Sequence, residues 1–567
     1  MRGMVSRTCV IGVVVLVVAS LEASPPRYVR LSFSTPDATT TVGVAWTTDS
    51  ESDPSVVEYG LDASYGQTAE GHAFRGSGPL AVIHEVTLVG LKPNTTYHYR
   101  AGGPGSWSPD STFTTAPSDP CEPYRVVVLG DGRSDDNTGP SPRWDDIFEE
   151  VFEYDPRFIL NTGDIVRDGS DTPQWDRWLA ASQAELARAP HLPTMGNHDD
   201  GPGAGDTANY NQVFHLPRND VTGTEDYYYV TTGDAIFVSL STMEFTDGAI
   251  PFQKQADWLD RVLTENPRRW KVVFFHHPVY CSEDWFGLVH PPDEQGQNAA
   301  LVPVFDKHHV DLVFYGHNHW YERIGPVRGQ GGANEGVPVN SFEQGTVYVV
   351  TGGAGATAYN IVVNLFCPRT PGSKVCSGDH HFVILEFDGN RLAYTARATR
   401  AQLLGTNPAN AKVIESFVIE KPLGGGQDPC GPVPQPDPGP EPVPDAGIAD
   451  TPGPDEPAPA DEPRWPDMQP PETVFVEPSA ADAGGPSPDL GAADASAPGP
   501  EAQAPDAGPA DRGGAKSGKS GSGCHAAVGV PAGLSWLLAG WLLGWIRLRK
   551  TRSERHHLHR PAPSRTR

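Results

Sequence analysis

Five short motifs carry the side chains of this sequence that could bind metal ions. Carboxylate, amide oxygen and imidazole suit hard-to-borderline divalent or trivalent ions, and glycine permits tight turns and close backbone approach to ions or phosphate. Together the motifs predict a site for two metal ions. In chain order they are Gly130-Asp131-Gly132-Arg133, Gly163-Asp164-Ile165-Val166-Arg167, Gly196-Asn197-His198-Asp199, His276-His277-Pro278-Val279-Tyr280 and Gly316-His317-Asn318-His319-Trp320-Tyr321-Glu322-Arg323.

The motifs end or follow short apolar segments, which predict strands whose carboxyl ends bring the loops together. These strands are expected at Tyr124–Leu129, Arg157–Leu160, Lys271–Phe275, Val310–Tyr315 and Val347–Val350. Amphipathic helices are expected at Trp144–Glu153, Gln174–Ala189 and Phe252–Glu265. The alternation of strands and helices predicts an α/β layered domain over residues 121–421. Near its end, Asp388-Gly389-Asn390 predicts a hairpin between His381–Phe387 and Arg391–Ala396.

Residues 26–117 form a separate all-β region in this prediction. Alternating or β-branched segments, such as Thr41–Trp46, Val56–Tyr59 and His84–Leu88, are separated by turn residues. The stretch from Leu88 to Arg100 resembles the tyrosine-corner region of fibronectin type III sandwiches, in which a tyrosine hydroxyl bonds to nearby backbone. We therefore expect a fibronectin type III-like β-sandwich ahead of the α/β domain.

The two ends of the chain predict export and attachment to the cell envelope. Residues 1–23 combine a basic start, a short apolar core and a small-residue exit, as a signal peptide does. Residues 424–523 are rich in Pro, Ala, Asp and Gly and predict a disordered linker. The apolar segment 526–546 precedes basic residues, which is typical of a transmembrane helix. Residues 524–550 resemble MYXO-CTERM sorting tails, which implies attachment at the cell surface or outer envelope, or secretion.

Charge and cysteine content restrict the partners and the compartment. The formal net charge of −29 argues against binding of nucleic acid, but it allows a phosphorylated small molecule because bound metal can dominate the local charge. Export permits disulfides. Cys367 and Cys376 flank a short loop and form the favoured pair, and Cys121 and Cys430 could close the central domain. Cys281 has no obvious partner, and the connectivity stays open.

The order of the motifs resembles the calcineurin-like metallophosphoesterase superfamily. The ending Gly-His-x-His-x-Tyr-Glu-Arg and the preceding sandwich make residues 26–421 most similar to the purple acid phosphatases. The resemblance implies a four-layer α/β/β/α catalytic domain and a metal-dependent phosphoric ester hydrolase.

The resemblance also assigns roles to individual residues. Asp164 would bridge two ions. Asp131 and His319 would hold the first ion, and the second would be held by Asn197, His276 and His317. His198 would lie against the phosphate as the catalytic residue, protonating the leaving oxygen or stabilising charge, whereas His277 is expected to pack beside the site.

Two positions depart from the family pattern. Purple acid phosphatases have a metal-binding tyrosine three residues after the bridging aspartate, where this chain has Arg167. Many superfamily members have histidine two residues after the first aspartate, where this chain has Arg133. We therefore expect a colourless enzyme with an exchangeable first ion. Fe, Zn and Mn all remain open as the two metals, and each arginine could contact phosphate or be a surface charge.

The leading hypothesis is an exported, binuclear phosphomonoesterase that works by in-line attack of a metal-bound hydroxide. One alternative is a phosphodiesterase or nucleotide hydrolase that uses the same site. Another is a surface adhesion or binding protein in which the site is vestigial. The sequence leaves open the natural substrate, cleavage of the C-terminal tail and the oligomeric state.

Overall fold

The computed structural model describes residues 23–421 apart from 137, 203–204, 244–251, 284–288, 333–334, 360–362, 364–366 and 403–404, together with Cys430. The predicted signal peptide except its last residue, the linker except Cys430, and the apolar segment 526–546 lie outside these residues. Within the described part of the chain, no helix has the length and apolar character needed to cross a bilayer.

The N-terminal region consists of two antiparallel sheets. One sheet has the strand order β1-β2-β6-β5, and the other has the order β4-β3-β7-β8, with β9 paired to β7. The strands are β1 (Arg27–Ser32), β2 (Val42–Thr48), β3 (Val56–Gly60), β4 (Gln67–Glu70), β5 (His72–Arg75), β6 (Val82–Leu88), β7 (Thr96–Gly103), β8 (Ser106–Trp107) and β9 (Ser111–Thr114).

Aromatic and β-branched side chains fill the space between these two sheets. Trp46, Tyr99 and Phe113 are buried together, because side chains that alternate along each strand place one face inward. The tyrosine corner is formed by Tyr97, whose hydroxyl accepts a hydrogen bond from the backbone N–H of Lys92 at 2.9 Å. The predicted N-terminal sandwich is confirmed.

The α/β domain contains two mixed sheets. The first has the order β12-β11-β10-β21-β22-β25, and the second has the order β13-β14-β15-β16-β19-β17-β18, with β20 paired to β17. The small pair β23–β24 lies apart. The strands are β10 (Tyr124–Leu129), β11 (Phe158–Asn161), β12 (His191–Pro193), β13 (Tyr228–Thr231), β14 (Ala235–Ser239), β15 (Trp270–Phe274), β16 (Leu312–Tyr315), β17 (Tyr321–Gly332), β18 (Glu335–Pro338), β19 (Thr346–Thr351), β20 (Ser373–Ser377), β21 (His381–Asp388), β22 (Arg391–Ala398), β23 (Ala401–Gln402), β24 (Gly405–Thr406) and β25 (Lys412–Glu420).

Helices cover the outer faces of the two sheets and complete four layers. The inner faces meet through rings such as Phe158 and Phe237, whose centroids lie 5.0 Å apart. Trp144 and Phe148 join the core on the side of the first sheet, and Leu259 and Phe305 cover the second sheet. The predicted α/β/β/α arrangement is confirmed. The helices are α1 (Trp144–Phe152), α2 (Thr172–Leu186), α3 (Asn209–Val213), α4 (Gln253–Glu265) and α5 (Asn298–His308).

The sandwich packs firmly against the α/β domain. The backbone of Ala38 donates to the carbonyl of Thr231 at 3.1 Å, and the buried hydroxyl of Tyr99 donates to the carbonyl of Ala187 at 2.7 Å. The rings of Phe33 and Phe158 meet edge to face. One continuous apolar core therefore spans both regions, which limits relative motion of the sandwich and the site.

Two disulfides close loops of the α/β domain. Cys121 pairs with Cys430 across 309 residues, and Cys367 pairs with Cys376 across nine. The Cys367–Cys376 pair is the one that the sequence favoured, and the Cys121–Cys430 pair is one that the sequence left open. Among the described cysteines, Cys281 is the free one, and it is buried.

Candidate metal centre

The five motifs meet because each follows a strand that ends at the same edge of its sheet. Strands β10, β11 and β12 run parallel in the first sheet, and β15 and β16 run parallel in the second. Loops after the carboxyl ends of neighbouring parallel strands converge. The two sheets therefore present Asp131, Asp164 and Asn197 opposite His276 and His317.

Three of these residues have left-handed backbone conformations. The φ angles are 60° at Asp131, 54° at Asp164 and 69° at His317, where a non-glycine residue costs roughly 1–2 kcal/mol. Surrounding hydrogen bonds hold this backbone: the N–H of His317 donates to the Asp131 carboxylate at 3.0 and 3.1 Å. Position 316 requires glycine for steric reasons, because a Cβ on Gly316 would lie 2.2 Å from Asp131 Oδ2. The chain is thus forced to point these side chains at one another.

We call Asp164, Asn197, His276 and His317 the second cluster, because they form the expected second metal site. His276 Nε2 lies at its centre, 3.0 Å from Asn197 Oδ1, 3.3 Å from Asp164 Oδ1 and 3.2 Å from His317 Nδ1. The other ring nitrogen of His276 is 2.8 Å from the carbonyl oxygen of Thr162, which fixes the ring orientation. Two imidazole nitrogens and two oxygens facing one point suit Zn²⁺, Fe or Mn²⁺.

The remaining predicted ligands form the first cluster, Asp131, Asp164 and His319. One ligand atom from each lies within 4.8 Å of the others, and His319 Nε2 is 3.5 Å from Asp131 Oδ1. His319 Nδ1 is 3.0 Å from the carbonyl oxygen of Thr357, and its ring stacks on Tyr359 with centroids 4.6 Å apart. The structure thus brings all six predicted ligands into two clusters that share Asp164.

The electrostatics of the buried site favour cations. Burial alone raises the pKa of Asp164, but His276, His198 and Arg133 outweigh it and hold that pKa well below its usual value. For His276, burial lowers the pKa, but the Asp164 and Asp131 carboxylates outweigh it and the net shift is upward. Asp164 therefore stays anionic inside the protein, as a bridging metal ligand must.

The two arginines take different positions. Arg133 is buried and donates from Nε to Asp164 Oδ2 at 3.1 Å, with Nη2 3.5 Å from His319 Nε2. Arg167 is one-third exposed, and its Nη1 lies 4.0 Å from Asp135 Oδ1. Arg133 therefore belongs to the first cluster, whereas Arg167 lies at its outer side.

His198 and His277, although both near the clusters, have different surroundings. His198 Nδ1 lies 2.7 Å from the carbonyl oxygen of Arg167, an interaction that places the N–H on Nδ1 and keeps Nε2 free to act as an acceptor. Its backbone N–H donates to Asp164 Oδ1 at 3.1 Å. His277 is buried, Nδ1 lies 2.8 Å from Thr242 Oγ1, and burial lowers its pKa to about 2. His277 is thus a neutral packing residue at ordinary pH.

Glu322 and Arg323, at the end of the last motif, form hydrogen bonds with other segments of the domain. Arg323 Nε donates to both carboxylate oxygens of Glu415 at 2.8 Å. The Glu322 carboxylate accepts from the backbone N–H of Ser282 at 2.8 Å and from the hydroxyls of Ser282 and Ser373 at 2.6 Å. These contacts fix the position of the segment that follows His319.

Residues that sequence reasoning did not assign support the clusters from outside. Asp199 accepts from the backbone N–H groups of Ile165 and Val166 at 2.8 and 3.0 Å, and so ties the loop of Asp164 in place. Glu294 Oε2 lies 3.0 Å from His317 Nε2 and 3.3 Å from His290 Nδ1. The sequence could have indicated a role for Asp199, because it stands next to Asn197 and His198 in the third motif. The sequence gives no indication of a role for Glu294 or His290, because their loop contains none of the five motifs.

Comparison with known proteins agrees with this geometry. Residues 26–115 match the purple acid phosphatase N-terminal domain, and residues 124–321 match the calcineurin-like phosphoesterase domain. Probable purple acid phosphatase 20 of Arabidopsis thaliana is 28% identical over 53% of this chain and 70% of its own. Acid phosphatase type 7 of Mus musculus is 29% identical over 58% of this chain and 78% of its own. The solved purple acid phosphatase PPD1 of yellow lupin (Lupinus luteus) seeds shares the fold, with a TM-score of 0.58, 22% identity, and coverage of 70% of this chain and 74% of its own.

Proposed function

Because this chain belongs to the calcineurin-like phosphoesterases of the purple acid phosphatase type and is a metal-dependent phosphoric ester hydrolase, we propose that it hydrolyses phosphate monoesters outside the cytoplasm. The observation that carries the proposal is the convergence of six buried or half-buried side chains in two clusters that share the anionic Asp164. The family implies a binuclear metal centre, and we propose Fe, Zn or Mn as its ions, because the donor sets fit these metals.

The proposed reaction is an in-line displacement at phosphorus. When bound, two ions would lower the pKa of a coordinated water and neutralise charge on the phosphoryl oxygens. Asp164 would hold both ions in register, with Asp131 and His319 on one side and the second cluster on the other. His198, once its Nε2 has gained a proton, would donate that proton to the leaving oxygen or a hydrogen bond to the phosphoryl group. Its ring is held for that role by the carbonyl of Arg167.

Preference for monoesters rests on the charge at the outer side of the site. A monoester carries one more negative charge than a diester near neutral pH. Arg133 and the half-buried Arg167 supply hydrogen-bond donors on that side, and guanidinium groups bind phosphate through paired donors. Turnover of an aryl phosphate should therefore exceed that of the corresponding bis-aryl diester. Faster hydrolysis of the diester would make the chain a phosphodiesterase instead.

Metal analysis and directed variants test the catalytic proposal. The purified protein should contain metal, and Asp164→Asn should lose both the metal and the aryl phosphatase activity. His198→Ala should keep its metal but lose about 10²–10⁴-fold in kcat. Asp257→Asn, an exposed carboxylate on α4, is the matched control for both. Full activity of Asp164→Asn would contradict the proposal and expose the activity as a contaminant, leaving a surface binding protein as the better reading.

Export is the second part of the proposal. It is supported by the signal-peptide pattern of residues 1–23 and by two disulfides, which persist in oxidising compartments. We propose that the C-terminal segment tethers the protein to the membrane or outer envelope. Fractionation of cells that produce the full chain should place phosphatase activity outside the cytoplasm. Deletion of residues 524–567 should release that activity into the medium, and retention on the cells would contradict the tether.

A further inference from the structure

Arg133 lies inside the first cluster, where a positive side chain conflicts with a metal ion. Its guanidinium is within hydrogen-bonding distance of Asp164 Oδ2, 3.1 Å, and its Nη2 is 3.5 Å from His319 Nε2. The Arg133 side chain is only 8% exposed. The guanidinium therefore contacts two of the three residues expected to hold the first ion.

The backbone that carries Arg133 is tightly fixed. Its N–H donates to the carbonyl of Asp164 at 3.1 Å, and the neighbouring Gly132 carbonyl accepts from Ser141 at 2.8 Å. A Cβ on Gly132 would lie 2.4 Å from the ring of Trp144, so the loop packs directly on that ring. Only rotation of the Arg133 side chain can move its charge away from Asp164.

An ion bound to the first cluster would share its ligand atoms with Arg133. Oxygen and imidazole ligands lie about 2.0–2.2 Å from an ion such as Zn²⁺, whereas the Arg133 nitrogens lie 3.1 and 3.5 Å from these atoms. The ion and the guanidinium would thus be neighbours of like charge in a largely buried space, where repulsion is weakly screened. In the described part of the chain, the polar contacts of Asn197, His276 and His317 include no arginine or lysine, and His276 faces Oδ1 of Asp164 rather than the Oδ2 that Arg133 contacts.

Asp135 offers Arg133 a second partner farther from the cluster. Nη1 of Arg133 donates to Asp135 Oδ1 at 3.1 Å, and the Asp135 side chain is 47% exposed. The hydroxyl of Thr357 donates to the other carboxylate oxygen of Asp135, and the carbonyl of Thr357 holds His319. Arg133 could therefore release Asp164 while it keeps its ion pair with Asp135.

We propose that Arg133 is an intramolecular competitor for the first metal ion, so that the two ions bind with unequal affinity. The second cluster fills first, and the first cluster fills only when Arg133 turns from Asp164 toward Asp135. The inference rests on the metal centre of the proposed function. The metal concentration then sets the fraction of chains that hold both ions, and Arg133 sets the metal concentration at which the first cluster fills.

Titration of the full-length, metal-stripped protein with Mn²⁺ tests the proposal. Isothermal calorimetry should resolve two classes of site, and electron paramagnetic resonance should show coupled Mn²⁺ pairs only at the higher concentration. Arg133→Met should tighten the weaker site by at least about tenfold, whereas Arg133→Lys, which keeps the charge, should leave it weak. Arg167→Met is the matched control, because Arg167 lies 4.0 Å from the same Asp135, and it should leave both affinities unchanged.

Each other outcome has a distinct meaning. Two equal, tight sites in the wild type would overturn the inference, as would an unchanged weak site in Arg133→Met. Loss of Mn²⁺ binding in a folded Arg133→Met, checked by circular dichroism, would show that the arginine builds the site and would also overturn it. If the wild type bound no Mn²⁺, Zn²⁺ or Fe²⁺ at all, the proposed function itself would fail.

Discussion

Replacement of Glu294 by Gln offers a sharp test of how the second cluster is oriented. Glu294 Oε2 lies 3.0 Å from His317 Nε2, on the far side of the ring from the nitrogen that faces His276. The carboxylate fixes the His317 tautomer and makes Nδ1 a stronger donor to metal. Glu294→Gln keeps the size and one hydrogen-bond acceptor, but it removes the charge.

The magnitude follows from the exposure of this pair. Loss of such an outer partner typically weakens metal binding by about 10–100-fold. The Glu294 side chain is 33% exposed, so solvent screens part of its charge, and we expect the lower end of that range. A tenfold loss corresponds to about 1.4 kcal/mol of binding free energy.

The assay is competition between the protein and a chromophoric chelator for Zn²⁺ or Mn²⁺. Glu294→Gln should lower the affinity of the tighter site, and Glu283→Gln, an exposed carboxylate in the preceding segment, should not. His317→Ala should lower the affinity further, since it removes a ligand. Wild-type affinity in Glu294→Gln combined with a clear loss in His317→Ala would refute the role of Glu294. Wild-type affinity in both variants would remove His317 from the metal site.

Three further predictions concern stability. Removal of the Cys121–Cys430 disulfide by paired Ser substitutions should lower the free energy of unfolding by about 2–5 kcal/mol, because the bridge closes a loop of 309 residues. Denaturant unfolding measures this free energy. An unchanged value would mean that the bridge does not restrict the unfolded chain. Arg323→Ala should cost about 3–5 kcal/mol, since it removes the cation beside the largely buried carboxylate of Glu415 and leaves the Tyr321 hydroxyl as its donor. An Arg323→Met, Glu415→Leu double variant should recover part of that loss, and strict additivity would refute the coupling. Chelation of the metal should lower the Tm of the protein, with a loss of about 2.7 kcal/mol of stability if the metal had been present at 100 times its Kd. The decrease in Tm should be much smaller in Asp164→Asn. An equal decrease in Tm in that variant would argue that the metal binds elsewhere.

Much of the catalytic domain could be predicted because its strands are short, apolar and separated by helices. β10 has the predicted bounds, and β11, β15 and β16 begin or end within two residues of the expected positions. The hairpin after β21 also forms, with Asp388 opposite Arg391. The long β17 was not predicted. It contains Gly325, Pro326 and Gly329, which are typical of turns, and pairing with β18, β19 and β20 makes it a strand.

The candidate site also contains residues that the sequence could predict and residues that it could not. Ligands that follow strands, such as Asp131 and Asp164, were predictable because neighbouring strands carry them to one place. Glu294 and His290 come from a loop without a motif, and only the fold brings them to His317. The presence of Arg133 at an unusual position was visible in the sequence. The inward direction of the Arg133 side chain was not visible in the sequence, because an arginine in a loop can interact equally well with solvent or with a buried carboxylate.

The Cys121–Cys430 bridge also determines where mechanical load would enter the protein. Cys430 lies against the β21–β22 turn, close enough that a Cβ on Gly389 would be 2.8 Å from its Sγ. Tension from an anchored C-terminus would pass through the disulfide to Cys121, at the junction of the two domains, and would bypass β25. The final strand could then not be peeled from its sheet, and the loops that hold the metal ligands would stay outside the path of the force. With the C-terminus tethered as proposed, the disulfide would keep the pulling force away from the metal centre.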